Sequence, residues 1–215
     1  MSSKKNYREI RYQEKKISIL QSAARFFSLK GYEKATLEEI ANELNMTKGS
    51  LYYYIKSKED MLFQCHMKAL EEANKVLDLV NQSDLSTELK MRNAIVGHIK
   101  VITEEFVVGT LRQQELLLPK HMQERVIRER DKFETNFLKI LTEGIKEQVF
   151  QEKDVKMRAY AILGAINWIP RWYSPNGNLT PEEIGDAMAT YLINGLGISV
   201  GALMRRRENA SKRKD

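Results

Sequence analysis

Apolar side chains recur along the chain at helical rather than strand spacing, with few glycines or prolines to interrupt them, so the pattern predicts an all-α protein of about nine helices. Ile17, Leu20, Ala24 and Phe27 mark one face of a first helix, and Gly31 is placed to end it in the left-handed conformation that glycine adopts cheaply. Thr36 to Glu39 spells a capping box, in which hydroxyl and carboxylate satisfy orphan amides at a helix start. Leu37, Ile40, Ala41 and Leu44 then give a short second helix its inner face. Asn45 and Met46 break the pattern, and Thr47 offers an N-cap for a third helix through Tyr54 or Ile55.

Ser57 and Asp60 suggest the start of a longer fourth helix, to about Val80. After a polar loop around Asn81 to Ser86, Ile95, Ile99, Ile102 and Phe106 define the next buried face. From about Met122 to Phe150, Val126, Phe133, Phe137, Ile140 and Ile145 stand among many charges, as in a long half-exposed helix. Two more helices are expected, about 154–173 and 181–204, separated by SPNGNLTP. Thr180, Pro181 and Glu183 supply the last one with a cap, a proline at its first position and an acidic first turn.

Charge changes this picture more than composition does. The 215 residues, enough for one or two compact units, carry +6 overall. Residues 1–60 hold 12 basic and 8 acidic side chains and residues 205–215 hold 6 against 2, which leaves the 144 between them at −2. Positive charge at the ends fits a nucleic-acid partner. The lone Cys65 cannot form an internal disulfide, and the basic N-terminus has no apolar stretch behind it of the kind a secretory signal requires, so a cytoplasmic location is expected. The longest apolar run, residues 191–204, is too short to span a bilayer, so no membrane partner is expected.

The informative stretch is TLEEIANELNMTKGSLYYYIKSKEDML, from Thr36 to Leu62: two short capped helices, a tight turn, then aromatic and basic residues. In a helix-turn-helix one helix braces the other, whose N-terminal residues enter the major groove of double-stranded DNA. Thr47, Lys48, Gly49 and Ser50 are small or basic where approach must be close. Tyr52, Tyr53 and Tyr54 point about 100° apart in succession, so at most two face DNA. Lys56 and Lys58 add salt-sensitive charge.

These residues carry a resemblance to the DNA-binding domain of TetR/AcrR-family repressors. Phe27, Gly31 and Tyr32 meet the pattern at the end of the first helix, followed by Thr36, Ile40, Ala41 and the run TKGSLYYYIKSKEDML; the match covers roughly residues 15–63. The resemblance implies phosphate contacts at Thr36, Thr47, Lys48, Tyr54 and Lys58, base readers at Ser50 and Tyr53, and a mixed bracing and phosphate role for Tyr52. Two departures stand out. Asn45 occupies a position often held by glycine, and Ile55 one where an aromatic is common; asparagine tolerates the left-handed region, and isoleucine fills a small core site. The basic arm Lys4 to Lys16 reads equally as a DNA-contacting arm or a solvated tail, and 205–215 as a basic tail.

The domain division implied is 1–60 for the DNA-binding domain and 61–204 for a helical effector-binding and dimerisation domain. By resemblance the chain is a homodimer on a near-palindromic operator, with Leu192, Ile193, Leu196, Gly197 and Gly201 as the expected dimer surface. Residues 164–183 resemble the corresponding stretch of family members that answer to acyl-CoA thioesters. Phe106, Trp168 and Trp172 are then candidates to line an acyl tunnel, with Arg112, Asn167 or Arg171 addressing polar or phosphate groups; aromatic core packing is the competing role for each ring. Pro170 is expected to kink its helix.

His66, His98 and His121 show no metal-ligand spacing, and no nucleophile motif or phosphate loop is present, so neither metal, cofactor nor enzymatic activity is expected. The leading expectation is a repressor released from DNA by a small-molecule effector, an acyl-CoA thioester of fatty-acid or aromatic-acid breakdown. A repressor of efflux or stress genes answering to a hydrophobic drug-like ligand, a non-specific structural DNA-binding protein and a helical small-molecule enzyme are the alternatives.

Overall fold

A computed structural model describes residues 2–111, 115–151 and 154–197, and every regular element among them apart from one single-residue bridge is helical. The helices are α1 (Ser2–Lys30), α2 (Leu37–Glu43), α3 (Lys48–Tyr52), α4 (Lys58–Asn81), α5 (Thr87–Thr103), α6 (Glu105–Leu111), α7 (Lys120–Lys146), α8 (Val155–Asn167), α9 (Ile169–Trp172) and α10 (Pro181–Gly195), with a 3₁₀ turn at Glu115–Leu117. The stretch read as a loose arm or tail is therefore the N-terminal half of α1. The single buried face expected from Ile95 to Phe106 is divided at Glu104, whose carbonyl accepts from Val108 as α6 begins. Pro170 breaks rather than bends its helix: α8 ends at Asn167 and α9 starts at Ile169, with Trp168 between them.

Two compact units share these helices. The first takes the described residues of Met1–Glu71 and Ile102–Glu129, the second those of Glu72–Val101 and Arg130–Asp215. The division is discontinuous, unlike the single boundary at residue 60 expected from sequence, because α6 packs against α1 within the first unit.

In the first unit Ile19, Leu20, Ala23 and Phe27 of α1 bury against Ile40 and Ala41 of α2, Leu51 of α3, Ile55, and Met61, Leu62 and Cys65 of α4. Leu118 and Val126 close the cluster, and Phe106 packs against it partly buried. The turns are fixed locally. Gly31 takes φ +78 after α1. Thr36 and Glu39 close the reciprocal capping box of α2, and the Met46 amide reaches back to the Ala41 carbonyl at 2.8 Å while Asn45 adopts φ 51. Thr47 caps α3 by accepting from the Ser50 amide at 3.1 Å. Cys65 is wholly enclosed, its thiol turned toward the Leu20 carbonyl at 3.7 Å, and burial pushes its ionisation well above the ordinary thiol range.

The second unit packs Leu77, Met91, Ile95 and Ile99 with Phe133, Phe137, Ile140, Ile162, Ile166 and Ile184 among its buried side chains. α7 stops at Lys146, where Gln148 takes φ 59 and the Val149 and Phe150 amides reach back to the Gly144 carbonyl at 2.8 and 3.0 Å; the Phe150 ring then covers Gly144, where an added Cβ would lie 2.3 Å from it. The buried Lys90 ammonium pairs with Glu143 at 3.1 Å, which compensates the cost of enclosing the charge. Thr180, Pro181 and Glu183 start α10 as expected. That helix ends at Gly195, with Gly197 at φ +69 and the Leu196 carbonyl accepting from Arg158 at 2.8 Å. The expected continuation to residue 204 lies outside the described residues.

Candidate nucleic-acid interface

Leu51 and Ile55 are completely buried and pin α3 to α1, α2 and α4, and that anchorage decides which residues of the segment face outward. Thr47, Lys48, Gly49 and Ser50 are all exposed. Tyr53 is 73% exposed and Tyr52 46% exposed, whereas Tyr54 is half-buried against the core. Of the three tyrosines, two therefore point out and one in, as helical geometry requires. A Cβ on Gly49 would meet nothing nearer than Thr47 Oγ1 at 3.9 Å. The fold has no need of glycine there, yet glycine costs a helix roughly 0.5–1 kcal/mol relative to alanine; what it supplies is a low surface beside Lys48 and Ser50.

The hydroxyls named as phosphate contacts have internal duties. Thr36 Oγ1 accepts from the Glu39 amide at 3.2 Å and bonds the Glu39 carboxylate at 3.1 Å, while the Lys30 ammonium and Thr36 together hold that carboxyl below the usual range. Thr47 Oγ1 lies 2.9 Å from Ser50 Oγ, which ties a candidate base reader to the cap. Lys58 Nζ donates to the Glu33 carbonyl at 3.0 Å and sits 4.4 Å above the Tyr32 ring, bracing the start of α4 on the α1–α2 connection. Lys48 and Lys56 are the exposed lysines flanking α3.

Sequence reasoning missed Tyr12. Its ring stacks on Tyr54 (centroids 4.9 Å apart, planes 22° apart) and meets Tyr53 edge-on at 5.7 Å, while Tyr53 and Tyr54 contact each other at 5.1 Å. Burial, then Tyr53 and Tyr54, raise the Tyr12 phenol above its ordinary pKa of 10.0. The signal was present: Tyr12 precedes the buried Ile19 by seven residues, two helical turns along the same side of α1.

The candidate effector residues are scattered by comparison. Phe106 belongs to the first unit, Arg112 lies outside the described residues, and Asn167, Trp168, Arg171 and Trp172 are in the second. Trp168 is 58% and Trp172 51% exposed, so these indoles face solvent rather than lining an enclosed tunnel in this chain; the break at Pro170 re-aims the residues after it. Arg171 lies 5.0 Å over the Trp168 ring. Asn167 Oδ1 accepts from Nε2 of His98, which is enclosed and lies against the Phe133 ring, centroids 4.6 Å apart and planes tilted by 37°. Among the described residues no cluster of three or more histidine, cysteine or carboxylate side chains could hold a metal ion, and no helix is long and apolar enough to cross a membrane.

The residues expected to pair two copies also divide. Leu196 is 2% exposed and belongs to its own unit's core, and Gly197, half-buried, follows the helix end beside the Gln151 side chain. Leu192 and Ile193 are half-buried, and Gly201 lies outside the described residues. The exposed stripe of α10 is instead Ala187, Tyr191, Asn194 and Gly195, and that of α8 is Met157, Tyr160 and Gly164, ending at Trp168. A Cβ at Gly164 or Gly195 would meet nothing within 4 Å.

Residues 19–65 match the family described as bacterial regulatory proteins, tetR family, and residues 84–196 match the tetracyclin repressor-like C-terminal domain. The HTH-type transcriptional repressor KstR2 of Mycolicibacterium smegmatis is 25% identical over 196 residues, 85% of this chain and 91% of that protein. The crystal structure of the TetR family transcriptional regulator PfmR from Thermus thermophilus superposes with a TM-score of 0.77 at 30% identity, over 83% of this chain and 98% of that one. AibR, in complex with isovaleryl coenzyme A and operator DNA, gives a TM-score of 0.73 at 26% identity, over 83% and 97% of the two chains. With an exposed, capped reading helix and both parts of the family present in order, the chain belongs to the TetR family of DNA-binding transcriptional regulators.

Proposed function

We propose that this regulator is a homodimeric repressor that reads a palindromic operator through α3 and leaves it when an acyl-CoA thioester binds. The observation that carries the DNA part is the outward face of α3, where Gly49 keeps the surface low between Lys48 and Ser50 although the fold would accept a side chain there. Ser50 and Tyr53 are the base readers, with Lys48 and Tyr52 on phosphate. Pairing through α8 and α10 is supported by Tyr160 and Tyr191 beside two glycines, Gly164 and Gly195, that their own subunit leaves uncovered. The acyl-CoA assignment is supported by the likeness to AibR, whose structure holds isovaleryl coenzyme A and operator DNA together. One regulated state then binds DNA and another binds effector, each ligand weakening the other by the same factor.

Duplexes selected by the full chain from a random pool test the reading directly. A selected palindrome should survive competition by excess random DNA, Tyr53→Ala should shift base preference, and Tyr191→Asp should lower the solution mass from dimer to monomer. Short- and long-chain acyl-CoAs should release the selected duplex; a panel that leaves binding unchanged at high micromolar concentration removes the effector assignment and leaves the DNA assignment standing.

A further inference from the structure

The N-terminal half of α1 extends beyond the buried part of the helix, which begins at Ile19. Along it Arg8, Arg11 and Lys15 fall at i, i+3 and i+7, hence on one face, with Arg8 and Arg11 exposed and Lys15 half-buried. Tyr12 lies on the edge of that same face and is the residue that touches Tyr53 and Tyr54. The acidic neighbours lie to the sides of the stripe: Glu9 accepts from Gln13 at 2.8 Å, and Glu14 is about 60° round from Arg11 and about 100° from Lys15 by helical geometry, on the far side from Tyr12. A cationic stripe is thus fixed next to the reading head by a three-ring contact between segments about forty residues apart in sequence.

We infer that the α1 extension is a second DNA-contacting element, with Arg8, Arg11 and Lys15 neutralising phosphates that flank the bases read by α3, and with Tyr12 as the positioning residue that holds the extension against the reading head. The occupant is the duplex backbone, because the stripe is continuous with the α3 surface and complementary to it in charge. A free helix carrying the same charges would sweep solvent and contribute only weak, averaged attraction; one clamped by stacked rings presents them at fixed spacing. This inference rests on α3 being the DNA-reading helix, and it predicts dependence on DNA length that α3 alone does not.

The test is the salt dependence of duplex binding by the full chain. On a selected duplex with flanks, replacing Arg8, Arg11 and Lys15 together by glutamine should flatten the plot of log affinity against log salt by roughly two to three units per head. Tyr12→Ala, which removes no charge, should flatten it by a comparable amount, Tyr12→Phe should keep the wild-type slope, and joining Tyr12→Ala to the triple change should add little. Trimming the flanks should erase the difference between wild type and the triple variant. A wild-type slope in the triple variant overturns the inference, and a wild-type slope in Tyr12→Ala, with thermal stability and helicity retained, overturns the positioning role. Repeating the series on an unselected duplex separates the failures: lost sequence preference with slopes responding as above counts against base reading by α3, whereas unresponsive slopes on both duplexes count against the extension alone.

Discussion

Acid should destabilise the second unit through one residue, His98. Enclosure lowers its pKa from an ordinary 6.5 to about 4, the hydrogen bond to Asn167 opposing the shift only in part. A depressed pKa means that the folded state resists a proton which the unfolded chain accepts readily, so the stability is complete above pH 6.5 and is lost as pH falls toward 4. With those two values the loss between pH 7 and pH 5 is about 2 kcal/mol. The carboxyls of Glu182 and Glu183, held low by Lys100 and Thr180 respectively, lose their own contributions at lower pH, so the His98 effect is read as a difference between proteins. Urea unfolding followed by the fluorescence of Trp168 and Trp172, both in the second unit, would be measured from pH 7.5 to 5 for wild type, His98→Gln and His98→Leu. Both variants should start less stable at neutral pH and converge on the wild type as pH falls. Curves that stay parallel to the wild type across this range would refute the reasoning, because the imidazole would then be taking up its proton equally in both states.

Gly49→Ala should raise thermal stability slightly, by up to about 1 kcal/mol, while weakening binding to a selected duplex in a gel-shift titration; a variant that binds as well as wild type would remove Gly49 from the interface. Gly144→Ala should destabilise the second unit by about 1–3 kcal/mol in urea unfolding, since its methyl would meet the Phe150 ring at 2.3 Å. Thr36→Ala should cost about 1 kcal/mol through the capping box, with any loss of DNA affinity at high salt tracking the loss of folded head. Lys58→Ala should destabilise the first unit by about 1–2 kcal/mol, through its bond to the Glu33 carbonyl and its place over Tyr32; hydrogen exchange at the start of α4 would show it, and unchanged protection there would argue against a brace.

What could be read from the chain alone was what depends on near neighbours. The caps at Thr36, Thr47 and Thr180 and the left-handed residues Gly31 and Asn45 each involve partners within five residues, and all appear where the sequence places them. Tyr12 escaped notice because its partners lie about forty residues away and its own surroundings are polar. Leu196 was assigned outward because a run apolar on every side does not reveal which face its own core takes. Trp168 and Trp172 were candidates to line a tunnel through a resemblance of residues 164–183 to acyl-CoA-responsive family members, and a resemblance in sequence does not give the exposure of a ring beside a helix break such as the one between Asn167 and Ile169. The discontinuous units were hidden for a related reason: α4, α5 and α7 each contribute to both, and nothing in a helical repeat marks where its packing partners change.

The enclosure of Cys65 makes the chain its own gauge of breathing in the reading head. It is the single cysteine in the sequence, and neither a reagent nor the ionisation that reaction requires can reach it while α1 covers it. Modification by an aromatic disulfide must therefore wait for the head to open. When reclosing outpaces reaction, the modification rate divided by that of an unfolded control gives the open fraction without denaturant. Operator DNA, by favouring the closed head, should slow the colour change in proportion to its occupancy.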